Sequence, residues 1–203
     1  MDVIQRILEG SGELFLRAGI KSITMDDIAK NLGISKKTIY QHFADKNELV
    51  SAVVQHKLKH DEAEMKQILE SDANVIEQMI SMTKCSEEVL TKINASAFHD
   101  MKKYYPEAWK LFWEFKNNIM VQTIETLLNK GIKQGLIRPE INVKILAQMR
   151  VNQIEMAFDM DLFPPSEYNV WKVQQQFEEH FNYGICTLKG YKLLNQHKNI
   201  IEE

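Results

Sequence analysis

Apolar residues return every three or four positions along most of this chain, the spacing that gathers them on one face of an α-helix. In the first such stretch Val3, Ile7, Ser11, Leu14, Phe15 and Ala18 share the inner side. Asp2 and Gln5 open it as a capping box, and Gly19 ends it just past Arg17. Gly10 and Gly12 each cost this helix about 1 kcal/mol against alanine. A long helix is predicted from Asp45 to Glu70, followed by a polar break over Ser71, Asp72, Ala73 and Asn74. The next runs to Tyr104, and Pro106 then occupies the first turn of a helix reaching Gln134. Gly135 and Pro139 mark a short loop, and helices over 142–160 and 166–189 follow, separated by Pro164 and Pro165. No segment alternates with a period of two. The expected fold class is therefore all-α.

Residues 24–46 carry the most specific pattern. They read as two short helices joined by a tight turn, with a third helix starting behind them. Ala29 lies four positions before Gly33, and Ile39 six after it. The small residue lets the helices cross closely, and the glycine supplies the left-handed conformation of a sharp turn. Thr24 with Asp27, and Asp45 with Glu48, are capping boxes, and Ser35 is an N-cap. Ile28, Leu32, Ile34, Ile39 and Phe43 form the inner face, which leaves Lys36, Lys37, Thr38 and Gln41 pointing outwards. This geometry is that of a helix-turn-helix, whose second helix enters the DNA major groove. The four outward residues are the candidate base contacts: lysine donates to guanine acceptors, glutamine pairs with adenine, and the threonine methyl meets that of thymine.

Charge refines this picture. The chain carries −3 overall, so it is no bulk polycation. Residues 1–50 hold seven basic and seven acidic side chains, but 35–46 hold three lysines against one aspartate. Attraction to DNA must come from placed contacts and from doubling in a dimer. Cys85 and Cys186 are too few for a disulfide framework. Neither a signal-peptide pattern nor an apolar run long enough to span a membrane is present, so a cytoplasmic protein is expected.

The segment containing Leu14, Phe15, Gly19, Thr24, Asp27 to Ala29, Gly33 to Ser35, Thr38 to Tyr40, His42, Phe43, Lys46 and Leu49 resembles the DNA-binding domain of TetR-family transcriptional regulators. The stretch from Gly131 to Pro139 is similar to the turn that precedes the dimerisation helices of that family. The resemblance implies a three-helix DNA-binding head over residues 1–46 and a helical ligand-binding and dimerisation body over 47–203. It further implies that Tyr40 and His42 hold phosphates. Thr24, at a helix N-terminus where amides attract anions, and Lys46 complete the expected phosphate set.

Two features of the body bear on this reading. The last helices carry Leu146, Met149, Phe177, Phe181, Gly184, Ile185 and Leu188, an apolar set suited to a four-helix homodimer interface, with the glycine permitting close approach. The middle helices are rich in methionine and aromatic residues. Met82, Cys85, Met101, Tyr104, Trp109, Phe112, Trp113 and Met120 are candidates to line an adaptable apolar pocket, although such residues equally fill cores. His56 and His60 have metal-ligand spacing, with Asp61 and Glu64 adjacent, but their surroundings are highly charged and read as a solvated face. No metal, cofactor or catalytic constellation is expected. The chain thus reads as a regulator, a repressor that binds a palindromic operator as a homodimer and is released by a small apolar or amphipathic molecule. The alternative is a co-regulator that keeps the fold but binds a protein partner; the intact phosphate set argues against it.

Overall fold

The computed structural model describes residues 2–198, which form helices and no strand. In chain order they are α1 (Val3–Ala18), α2 (Met25–Leu32), α3 (Lys36–Tyr40), α4 (Lys46–Glu70), α5 (Val75–Leu90), α6 (Ala95–Tyr104), α7 (Pro106–Phe115), a π-helical turn (Lys116–Met120), α8 (Val121–Lys133), α9 (Val143–Met156), α10 (Val170–Ile185) and α11 (Leu188–His197). The all-α expectation holds.

The chain divides into two compact units. The first runs to Glu62 and includes Lys92–Phe115; the second comprises Ala63–Thr91 and the chain from Lys116 onward. This is not the division at residue 46 drawn from the sequence. In the first unit Ile7, Phe15, Ile28, Ile39, Leu49 and Val50 form a core with Ala97, Met101, Tyr105 and Ala108, so α6 and α7 complete the core of the head. Asn94 explains why the expected helix from Asn74 to Tyr104 is broken. Its side chain caps α6 by accepting from the Ser96 amide, while its own amide donates to the Leu16 carbonyl at 2.7 Å. Gly10 also has a tertiary reason: a Cβ there would lie 2.5 Å from Leu32 Cδ2. The expected Asp2 cap does not form, and Gln5 instead donates to Glu9.

In the second unit Val75, Ile76, Leu127, Leu128, Ile137, Ala147, Phe181 and Ile185 form the core. The final helix of the sequence reading is two helices. Ile137 and Cys186 make an isolated antiparallel bridge, flanked by Arg138 N–H to Ile185 O at 2.9 Å and Thr187 N–H to Leu136 O at 3.0 Å. This pairing draws Cys186 into an extended conformation and ends α10; Thr187 then caps α11 through the Gly190 amide. Gly190 must lack a side chain, because a Cβ would sit 2.1 Å from the Leu136 carbonyl oxygen.

Candidate nucleic-acid interface

Hydrogen bonds at its ends define the head motif. Thr24 Oγ1 accepts from the Asp27 amide at 3.2 Å, and Asp27 Oδ2 accepts from the Thr24 amide at 2.8 Å, closing both halves of a capping box. The Thr24 hydroxyl also donates to Asp27 at 2.6 Å. These bonds hold the Asp27 carboxyl below its usual range. Gly33 turns the chain with φ +62°, and Ile34 N–H closes the end of α2 on Ala29 O at 3.0 Å. Ser35 Oγ accepts from the Thr38 amide at 3.0 Å and starts α3. The box expected at Asp45 and Glu48 is offset: Glu48 N–H donates to Asp45 at 2.9 Å, but the Glu48 carboxylate accepts from Ala44.

Ile39 is fully buried, which orients α3. Lys36, Lys37 and Gln41 are exposed, as are Thr24, Tyr40 and His42, so six of the eight expected DNA-contacting side chains face solvent. Gln41 caps α3 at its C-terminus rather than lying inside it. Thr38 is half-buried, its hydroxyl 2.8 Å from that of Ser35. Lys36 meets Asp26 at 2.8 Å and lies 6.0 Å from the centre of the Tyr40 ring, and the carboxylate raises the lysine pKa. Both partners of that pair are exposed, and such a pair exchanges readily for a phosphate or a base.

Lys46 departs from the sequence expectation. It is half-buried, and its ammonium donates to Ile20 O at 2.6 Å, with the Tyr105 ring centre 5.8 Å away. Burial lowers its pKa, opposed by the charges of Asp100 and Asp27. In this conformation it fastens the α1–α2 turn. Asp100 fastens the same turn from α6 by accepting from the Lys21 amide at 2.8 Å. The sequence reading did not find Asp100, because its partner is 79 positions away and no local spacing links them.

The body residues are scattered. Met101 is buried in the first unit, where Trp109 and Phe112 pack and Phe98 meets both rings edge-on at 5.3 and 5.2 Å. These three candidates are therefore tied into that unit's core. Tyr104 is exposed and accepts from Lys21 at 3.3 Å, and Trp113 is 52% exposed. In the second unit Met82 packs against the core, Met120 is half-buried and Cys85 is exposed. Of the residues expected at a dimer interface, Phe181 and Ile185 are only 4% and 2% exposed within the single chain. Their area is already spent on the chain's own core, so they have almost none left for a partner. Phe177 is half-buried against Phe163, and Leu146 packs on the core. Met149, Gly184 and Leu188 are exposed. Ile145, on the same apolar helix as Leu146 and Met149, is 64% exposed and joins Met149 and Met156 on the outer side of α9. Ile145 and Met149, with Lys144, Gln148 and Asn152, line an open groove of about 510 Å³. Of the residues with metal-ligand spacing, Asp61 already pairs with Lys57.

Among known proteins, residues 7–53 match the family described as bacterial regulatory proteins, tetR family. The chain is 32% identical over 188 residues to the uncharacterized HTH-type transcriptional regulator YvaF of Bacillus subtilis, covering 90% of this chain and 95% of that one. It is 28% identical over 147 residues to the HTH-type transcriptional repressor KstR2 of Mycobacterium tuberculosis, covering 69% and 72%. The solved structure of FadR from Bacillus subtilis in complex with stearoyl-CoA superposes with a TM-score of 0.64 at 17% identity, covering 89% of this chain and 98% of that one. The chain belongs to the TetR family, and it is a DNA-binding transcriptional regulator. Among the described residues, no helix is long and apolar enough to cross a membrane.

Proposed function

We propose that the protein is a cytoplasmic, homodimeric repressor that binds a palindromic operator and is released by a small apolar or amphipathic molecule. The observation that carries the DNA reading is the outer face of α3. A buried Ile39 and capped ends hold Lys36, Lys37 and Gln41 in solvent, with Tyr40 and His42 beside them. Lys36, Lys37, Thr38 and Gln41 read base edges, and Thr24, Tyr40 and His42 hold phosphates. Residues to 46 contain this contact set, and the remainder of the chain carries dimerisation and sensing. One such helix reads only a few base pairs, so a two-fold dimer and a palindromic site follow. Exposed Ile145, Met149 and Met156 on α9, with Gly184 and Leu188, support the dimer face. The effector acts as a population shift, favouring a body conformation whose heads are wrongly spaced for the operator. FadR, a neighbour in fold, was solved with an amphipathic acyl-CoA. The half-buried Met82 and Met120 give this chain's second unit compliant apolar surface.

The test is selection of bound sequences from random duplex DNA at moderate salt, repeated with hydrophobic compounds. The expected result is one enriched palindrome whose recovery falls with some of the compounds. If no sequence is enriched, the operator reading fails.

A further inference from the structure

The second unit buries a guanidinium with too few partners. Arg150 on α9 has a side chain only 12% exposed, yet among the described residues its polar partners are Glu178 and Gln174, both at long range. Nη2 lies 3.4 Å from Glu178 Oε2 and Nη1 lies 3.4 Å from Gln174 Oε1. A guanidinium carries five donors, and charge-assisted bonds to carboxylate are about 2.7–2.9 Å long. Helices α5, α9 and α10 each bring a polar side chain to this site. Gln174 is 2% exposed and spends its amide on Ile154 O at 2.9 Å. Gln153, three positions along α9 from Arg150, has a buried Oε1 with no partner. Thr83 of α5 donates to Glu178, and Asn182 supplies that carboxylate with a further hydrogen bond. Burial disfavours charge on both members of the pair, pushing Glu178 up and Arg150 down.

Apolar and deformable groups lie on the same helices as this cluster. Met79 lies one turn before Thr83 on α5 and packs, like Met82, against the core. Phe177, next to Glu178 in the chain, belongs to an edge-on ring cluster with Phe163 and Tyr168. A cation with unsatisfied donors, held by an internal carboxylate at poor distance, has the chemistry of an anion anchor, and methionines and an aromatic ring lie on the helices that carry its partners.

We propose that Arg150 is the anchor for the anionic head of an amphipathic effector, a carboxylate on an apolar tail. In the free protein Glu178 occupies the guanidinium in place of that head. On binding, the ligand's carboxylate takes the guanidinium, and Glu178, buried and no longer paired, takes up a proton while it keeps Thr83 and Asn182. This deepens the effector reading above and rests on it.

The probes are sodium dodecanoate, dodecyl phosphate and dodecanol, titrated calorimetrically into the full-length protein below micelle-forming concentrations. The expected result is that dodecanoate binds about tenfold or more tightly than dodecanol. Arg150→Gln abolishes that preference while leaving dodecanol affinity unchanged. Glu178→Gln, which keeps shape and the Thr83 contact, strengthens dodecanoate binding several-fold by removing the internal competitor; it serves also if Arg150→Gln does not fold. Dodecyl phosphate separates the two head chemistries: binding as tight as dodecanoate makes the site a general anion anchor, and tighter binding overturns the carboxylate assignment. Equal affinity for dodecanoate and dodecanol overturns the anchor but leaves an apolar effector standing. Binding of none of the probes overturns both. Retention of the preference in Arg150→Gln, or no gain in Glu178→Gln, also refutes the assignment.

Discussion

Replacing Lys46 by methionine separates a structural role from an electrostatic one. The ammonium donates to the Ile20 carbonyl at 2.6 Å, and Ile20 itself is 5% exposed. A hydrogen bond to a charged group contributes about 1.5–3 kcal/mol. Part of this is offset by the burial that lowers the lysine pKa. Methionine keeps most of the stem's packing, so the expected loss is about 1 kcal/mol, read as a lower urea midpoint at unchanged m-value. DNA affinity is then followed by fluorescence anisotropy over a range of salt. If Lys46 is held inside the head, Lys46→Met leaves the slope of log affinity against log salt as in the wild type. Exposed Lys37 provides the contrast. Lys37→Ala removes a base-reading cation and relaxes the preference at one position per half-site, at a cost of about 1–3 kcal/mol. Unchanged stability together with a flattened slope in Lys46→Met would refute the structural role and restore the phosphate role expected from sequence.

Other expectations follow from the same geometry. Thr24→Ala removes the acceptor for the Asp27 amide and lowers stability by about 1 kcal/mol in urea unfolding, because the N-terminus of α2 loses its cap. Met149→Lys leaves helicity and melting of the protomer intact, since that side chain is already 41% exposed, but makes the protein sediment as a monomer. Phe181→Asp instead loses the circular-dichroism signal of the folded chain, because it leaves an unpaired charge in a core position that is 4% exposed. Burial pushes the Cys186 thiol up to about 11, so at pH 8 a disulfide reagent titrates exposed Cys85 in the native protein and Cys186 only after urea. A raised thiol pKa adds stability that is complete below the unfolded value and is lost as pH climbs from about 9 towards 11. Rapid modification of both thiols in native buffer contradicts this.

Local rules were enough for the head because its determinants lie close together in the chain. Thr24 and Asp27, Ala29 and Gly33, and Ser35 and Thr38 are separated by three or four residues, within the range over which helix geometry acts. The same periodicity established an all-α chain and most of its helix starts. It could not register contacts between distant positions. Asp100 reaches Lys21, and Asn94 reaches Leu16, only after α6 has packed on the head, and that packing ended the helix expected to continue through Leu90. Likewise the bridge between Ile137 and Cys186 split the last helix, although each segment alone is compatible with a helix. Spacing marked Phe181, Ile185 and Met149 equally as apolar stripe residues. Which of them face the protomer's own core depends on how α10 and α9 are rotated against their neighbours, and packing set that rotation. Lys46 shows the same limit for charge. Sequence identified a cation at the start of a helix, but whether it meets solvent or a buried carbonyl was decided by the path of the turn after Gly19.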